Sequence, residues 1–179
     1  MYVMQKAIIG IGLPASGKTT VLRSFASRHD YTYVCVDDIR AGLTGKALDM
    51  SRNREVWDLV RQKASEAIKK GDSVVIDATF TKQEIRRNFI AWLRQEGVKQ
   101  IQGLYISTPF EIAKGRNANR SRVVPDEVLE RTKRYLATAS PDIADGLDAL
   151  FVLDENYRMI KAEIAKEGKI ISKEMRIGK

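Results

Sequence analysis

Residues 12–19 constrain this chain more than any other stretch. They read Gly12-Leu13-Pro14-Ala15-Ser16-Gly17-Lys18-Thr19, a complete match to the pattern G-x-x-x-x-G-K-[ST]. The apolar run Ala7-Ile8-Ile9-Gly10-Ile11 precedes it and an amphipathic segment from Thr20 to Arg28 follows, so the loop joins a strand to a helix. Each fixed position has a physical reason. The glycines let the backbone curl until successive N–H groups face inward on phosphate oxygens, and the following helix adds the positive end of its dipole. Lys18 then reaches the β- and γ-phosphates, and the Thr19 hydroxyl is placed to ligate Mg²⁺.

The rest of the chain alternates β-branched apolar runs with longer segments of helical period, the pattern of βα units on a parallel sheet. Strands are expected near 4–11, 32–36, 73–77, 99–106 and 149–153. Helices are expected near 17–29, 50–70, 81–96, 109–118 and 125–139, with a last one near 155–167. Gly71 and Gly97 close two of these helices, and Pro109 and Pro125 suit the first turns of two others. The expected fold is therefore α/β: one domain over 1–179 with a central, mainly parallel five-stranded sheet flanked by helices. The basic stretch 169–179 reads as a loose tail.

Charge narrows the partner. Lys and Arg number 31 against 23 Asp and Glu, a net +8, which favours a polyanionic or phosphorylated partner. Aromatic residues are only 7%, so base-stacking platforms are not the main mode of recognition. One Cys and one His exclude a zinc site, a Cys/His nucleophile pair and a Ser-His-Asp triad. Cys35 lies in the apolar run Tyr33-Val34-Cys35-Val36 and reads as a core residue, Trp57 and Trp92 as core aromatics, and His29 as a helix-end residue. No apolar run approaches the roughly 20 residues that span a bilayer, so no membrane partner is expected and a cytoplasmic location is.

Three further groups carry candidate chemistry. Asp37-Asp38-Ile39-Arg40 falls at the C-terminal end of the second strand, the edge where open parallel sheets hold ligands. There a carboxylate can take the proton of an attacking hydroxyl and an arginine can bind phosphate; equally, Asp38 can cap a short helix and Arg40 be solvated. Val74-Val75-Ile76-Asp77 is an apolar strand ending in an acid suited to hold Mg²⁺, although Asp77 and Thr79 can also serve the next helix, whose plausible cap is Thr81 with Glu84. Lys114, Arg116, Arg120 and Arg122 put four cations in nine residues with no acid among them. Such a run is either a solvated face or an arginine-rich lid over about 114–124, with Arg116 and Arg120 on one side of a helix. Arg131 and Arg134 are placed to extend that basic surface.

In this order the motifs resemble the P-loop polynucleotide kinases, the 5′-hydroxyl kinase domains of bacteriophage polynucleotide kinase-phosphatases and related phage DNA-modification kinases. Gly12–Thr19 is similar to their loop, Asp37-Asp38-Ile39-Arg40 to their D-D-x-R, and Arg116-Asn117-Ala118-Asn119-Arg120 with Val124-Pro125 to their R-N-x-x-R…V-P lid. The resemblance implies ATP and Mg²⁺ as cofactors and a nucleic acid, DNA ahead of RNA, as phosphoryl acceptor. It implies Lys18, Asp37, Arg40 and Arg120 as catalytic residues, with Asp37 the general base. ATP would lie on Gly12, Pro14, Ala15, Ser16, Gly17, Lys18, Thr19 and Thr20, with Arg116 and Arg120 above it. Thr19 and Asp77 would serve the metal, and Arg40, Arg122, Arg131 and Arg134 the nucleic acid. A P-loop kinase acting on a nucleoside, sugar or antibiotic, and a nucleotide-binding switch without transfer, are the alternatives.

Overall fold

A computed structural model describes residues 4–175. Five parallel strands lie in the order β2 (Thr32–Cys35), β3 (Val74–Asp77), β1 (Lys6–Ile11), β4 (Gln100–Ile106) and β5 (Ala149–Leu153). β1 is flanked on both sides, with Ile9 opposite Ile76 in β3 and Gly103 in β4. Buried on both faces, it reads as one continuous apolar run rather than as an alternation. Helix α1 (Lys18–His29) covers one face, where Leu22 and Ala26 close on Ile8 and Val75. The other face carries α3 (Asn53–Lys70) and α4 (Gln83–Gln95), whose Val56, Val60, Phe89 and Leu93 pack with Ala7, Ile9 and Ile11. Trp57 and Trp92 belong to this packing, with Phe89 ring centroids 5.7 and 5.1 Å away, in keeping with their reading as core residues.

The sheet has seven strands, not five. Beyond β5 the chain runs antiparallel through β6 (Met159–Lys166) and β7 (Lys169–Glu174). The expected helix over 155–167 is thus replaced by a strand, and the first part of the expected loose tail is the second arm of a hairpin. Ile160-Lys161-Ala162-Glu163-Ile164 alternates with period two, which a strand against β5 rewards and a helix does not. At the turn, Glu167 and Gly168 both adopt positive φ, as tight hairpin loops require. The end of the basic stretch, 176–179, lies outside the described residues.

Four helices bring charged residues to the C-terminal edge of the sheet or beside it. α2 (Val36–Thr44) starts at once after β2, so Asp37 and Asp38 occupy its first turn, where carboxylates complement the helix dipole. The residue at its N-cap is Cys35, so Asp38 is not the cap; it pairs at the surface with Arg23 at 3.1 Å. α4 is capped by Lys82 without a side-chain bond, so the Thr81/Glu84 capping box does not form and Glu84 pairs with Lys82 instead. α5 (Phe110–Ala118) and α6 (Asp126–Thr138) are joined by an irregular stretch, and a short 3-10 turn, Ile143–Asp145, leads into β5. At that turn Arg86 of α4, fully buried, donates to Asp145 at 2.7 Å and to the Phe80 carbonyl at 2.9 Å. Among the described residues no helix is long and apolar enough to cross a membrane.

Candidate active site

The loop after β1 has the curl that its glycines allow. Gly12 and Gly17 sit at φ +148° and +98°, and Ala15, a non-glycine residue, at 61°. A Cβ on Gly12 would stand 2.8 Å from the Ile106 carbonyl, and one on Gly17 would strike the Tyr157 ring. Only glycine combines that backbone with that crowding. Neighbouring strand ends brace the loop: Gly12 donates to the Thr79 carbonyl at 3.1 Å, and Thr108 donates to the Ser16 carbonyl at 3.0 Å. A backbone held in this shape presents its N–H groups to an anion without further reorganisation.

Lys18 lies almost fully buried at the start of α1, with its Nζ donating to the Leu13 carbonyl at 2.7 Å. Burial pulls its pKa down from 10.5 to about 8; the Asp77 and Asp37 carboxylates push it back up, and Arg120 pushes it further down. The charges of Asp77, Asp37 and Arg120 thus all bear on one ammonium group. A buried cation with a depressed pKa is a site prepared for an anion, whose charge would offset the cost of desolvation. The loop therefore fits a nucleotide's phosphates.

Asp77, the last residue of β3, is buried and accepts a 2.6 Å hydrogen bond from the Tyr33 hydroxyl of β2. Burial first and Asp77 second push the Tyr33 hydroxyl's pKa up, so it stays a donor. One carboxylate oxygen is thereby oriented by the protein, leaving the other for a cation. Among the described residues no cluster of three or more His, Cys, Asp or Glu side chains is placed to hold a metal alone. A divalent cation here would take Thr19, Asp77 and the nucleotide's own oxygens, a donor set that suits Mg²⁺.

Asp37 stands between two guanidinium groups. Arg40 donates to its Oδ1 at 3.0 Å and Arg122 to its Oδ2 at 2.6 Å. Arg40 is buried and also donates to the Ala47 carbonyl and to Asn53 Oδ1, tying α2 to the start of α3. It is not the solvated residue that one reading of the sequence allowed. The Nε atoms of Arg40 and Arg122 are both buried and, among the described residues, have no hydrogen-bond partner. An unmet buried donor costs about 1–3 kcal/mol, so a ligand oxygen there would be favoured.

The arginine-rich segment is built differently from the helical lid expected. α5 ends at Ala118, so Arg116 is helical, Arg120 lies beyond the helix, and the two do not share a helical face. Arg116 donates to the Ser16 and Glu155 carbonyls at 3.3 and 2.8 Å, joining the phosphate loop to the turn after β5. Arg120 is exposed, and its charge bears on Lys18. Asn117, buried, exchanges two hydrogen bonds with the backbone of Val124 and so closes the segment into a loop. Arg131 and Arg134 are exposed on α6. Cys35 is buried, with its thiol pKa pushed up to about 11 chiefly by burial, in keeping with a core role.

The structure thus gathers Lys18, Asp37, Arg40, Asp77 and Arg122 at one sheet edge, with Arg120 in reach by charge. Sequence reasoning passed over Tyr33 and Asn117. Tyr33 sat in an apolar run with nothing to mark its hydroxyl; Asn117 lay inside the basic motif, where its fixed spacing to Val124 was the only cue.

Residues 8–139 match the model of a family described as an AAA domain. The chain belongs to that family. Solved structures share the fold of this AAA domain. One, of a Pnkp1/Rnl/Hen1 RNA repair complex, is 21% identical with a TM-score of 0.68, covering 77% of this chain and 46% of its own. This chain thus spans less than half of that one. A gluconokinase from Sinorhizobium meliloti 1021 is 15% identical with a TM-score of 0.56, over 84% of this chain and 83% of its own. A shikimate kinase from Bacteroides thetaiotaomicron is 12% identical with a TM-score of 0.56, over 86% and 88%. No curated protein matches the sequence. The α/β fold with its loop between β1 and α1 is the P-loop fold that these solved kinases share.

Proposed function

We propose that this AAA domain is an ATP- and Mg²⁺-dependent kinase that transfers the γ-phosphoryl group to a hydroxyl of a nucleic acid. The acceptor would be a 5′-hydroxyl end or a hydroxymethyl group on a modified base. The observation that carries this reading is Asp37 held at 3.0 Å by Arg40 and 2.6 Å by Arg122, on the sheet edge that also bears Lys18. A carboxylate oriented by two guanidinium groups at this edge is placed to take the proton of a hydroxyl brought beside it, and the guanidinium groups suit an acceptor whose hydroxyl sits beside a phosphate. Net charge of +8 favours a nucleic acid among such acceptors.

In this reading Lys18 and the loop amides neutralise the β- and γ-phosphates. Thr19 and Asp77 hold the cation, which would polarise those phosphates when bound. Asp37 orients the acceptor hydroxyl and takes its proton as the oxygen bonds to the γ-phosphorus. The bond to the β–γ bridging oxygen breaks, and ADP leaves with that electron pair. Arg120 approaches the transferring group from the exposed side, and charge stabilisation of this kind carries most of phosphoryl-transfer catalysis. Arg40 and Arg122 contact the acceptor's phosphate.

The extent of match to the gluconokinase and shikimate kinase structures supports a second reading, a kinase of a small hydroxylated molecule. γ-Labelled ATP and Mg²⁺ offered with 5′-hydroxyl oligonucleotides, end-blocked duplexes carrying hydroxymethylated bases, and free nucleosides and sugars separates them. Label on nucleic acid is expected, and lost about 10²–10⁴-fold in Asp37→Asn with ATP binding retained. Label confined to small molecules would replace the nucleic-acid reading. Near-normal transfer by Asp37→Asn would remove the assignment of the base.

A further inference from the structure

We propose that Arg122 caps Asp37 until an acceptor displaces it, and thereby holds back hydrolysis of ATP by water. This rests on the reading of Asp37 as the base. The two arginines on Asp37 differ in kind. Arg40 is a fixture, buried and bound also to Ala47 and Asn53. Arg122 comes from 85 residues away in sequence, on the irregular stretch between α5 and α6, with 32% of its side chain exposed. The Asn117–Val124 bonds pin the ends of that stretch. Between them Asn119, Arg120, Ser121 and Val123 are exposed, so Arg122 can leave Asp37 without disturbing the buried clamp.

With its Oδ1 on Arg40 and its Oδ2 on Arg122, Asp37 has both oxygens engaged. Hydrolysis needs one of them: water oxygen bonds to the γ-phosphorus, the bond to the bridging oxygen breaks with its electron pair going to ADP, and the water proton passes to Asp37. Water offers Arg122 no charge in exchange for the carboxylate. A hydroxyl beside its own phosphate does, and that phosphate also meets the buried, unpartnered Nε of Arg122. The cap therefore opens for an anionic acceptor and stays closed to water.

The test measures phosphate release from ATP and Mg²⁺ by the full chain without any acceptor. Arg122→Gln is expected to raise it roughly tenfold, below the full contribution of a positioned base. Arg122→Lys, whose single charge still reaches Asp37, should raise it less than Arg122→Gln does. The double variant Asp37→Asn/Arg122→Gln should lose that increase. An unchanged or slower release in Arg122→Gln, with ATP affinity and melting temperature retained, overturns the proposal. So does a raised rate that survives in the double variant. If Arg122→Gln melts early, Arg122→Met keeps the stem of the side chain and is read in the same way. The base assignment itself fails separately, by intact transfer in Asp37→Asn.

Discussion

Replacing Lys18 by Met should make the nucleotide-free protein more stable while destroying its affinity for ATP. The drop in the Lys18 pKa from 10.5 to about 8 means that keeping the ammonium charged inside the fold costs about 3 kcal/mol at neutral pH. Methionine removes that cost and keeps most of the stem's packing. It also removes the bond to the Leu13 carbonyl, worth about 1 kcal/mol, so the net gain is about 2 kcal/mol. In a domain of this size that raises the melting temperature by about 4–8 °C. The sign with pH follows from proton binding. Between pH 8 and 10.5 the unfolded chain holds the Lys18 proton and the folded chain releases it, so wild-type stability rises across this window. The penalty is full below about pH 8 and gone above about 10.5, and the advantage of Lys18→Met should shrink accordingly. Melts of both proteins at pH 7 and pH 10, with and without ATP, provide the assay; ATP should stabilise only the wild type. A variant that melts at or below the wild type at pH 7, or a gap that does not narrow at pH 10, would refute the reasoning that burial governs this lysine.

Two further outcomes follow from the same structure. Tyr33→Phe leaves Asp77 without its 2.6 Å donor; the fold should survive, but the Mg²⁺ concentration for half-maximal turnover should shift several-fold, as expected on losing a group that orients a ligand. An unchanged Mg²⁺ dependence would separate Tyr33 from the metal. Asp145→Ala strands the fully buried Arg86 guanidinium and should cost about 3–5 kcal/mol in denaturant unfolding, whereas Arg86→Met/Asp145→Leu should recover much of it. Burial opposes the Asp145 charge, but hydrogen bonds from Arg86 and Arg87 outweigh it and hold the carboxyl below its usual range. Its contribution should therefore persist above the ordinary carboxylate pKa and fade as the pH falls through the lowered value.

What the sequence could determine was local. Gly12 to Thr19 is contiguous, its chemistry follows from backbone N–H groups a few residues apart, and the flanking strand and helix are written beside it. The five parallel strands were legible because burial on both faces leaves unbroken apolar runs. The last two strands were missed because the period-two alternation at Ile160-Lys161-Ala162-Glu163-Ile164 is short and half-exposed, so that only pairing with β5 settles it as a strand. The candidate site shows the same division. Asp37, Arg40, Asp77 and Arg120 carried signals in position and spacing. That Arg122 lies on Asp37 is a matter of where α5 stops and how Asn117 ties Val124, and no spacing rule contains it. The Tyr33–Asp77 bond and the buried Arg86–Asp145 pair join residues 44 and 59 apart. Such pairs exist only once the sheet order has brought their strands and helices together, because a hydrogen bond is set by distance in space and the sequence states only distance along the chain.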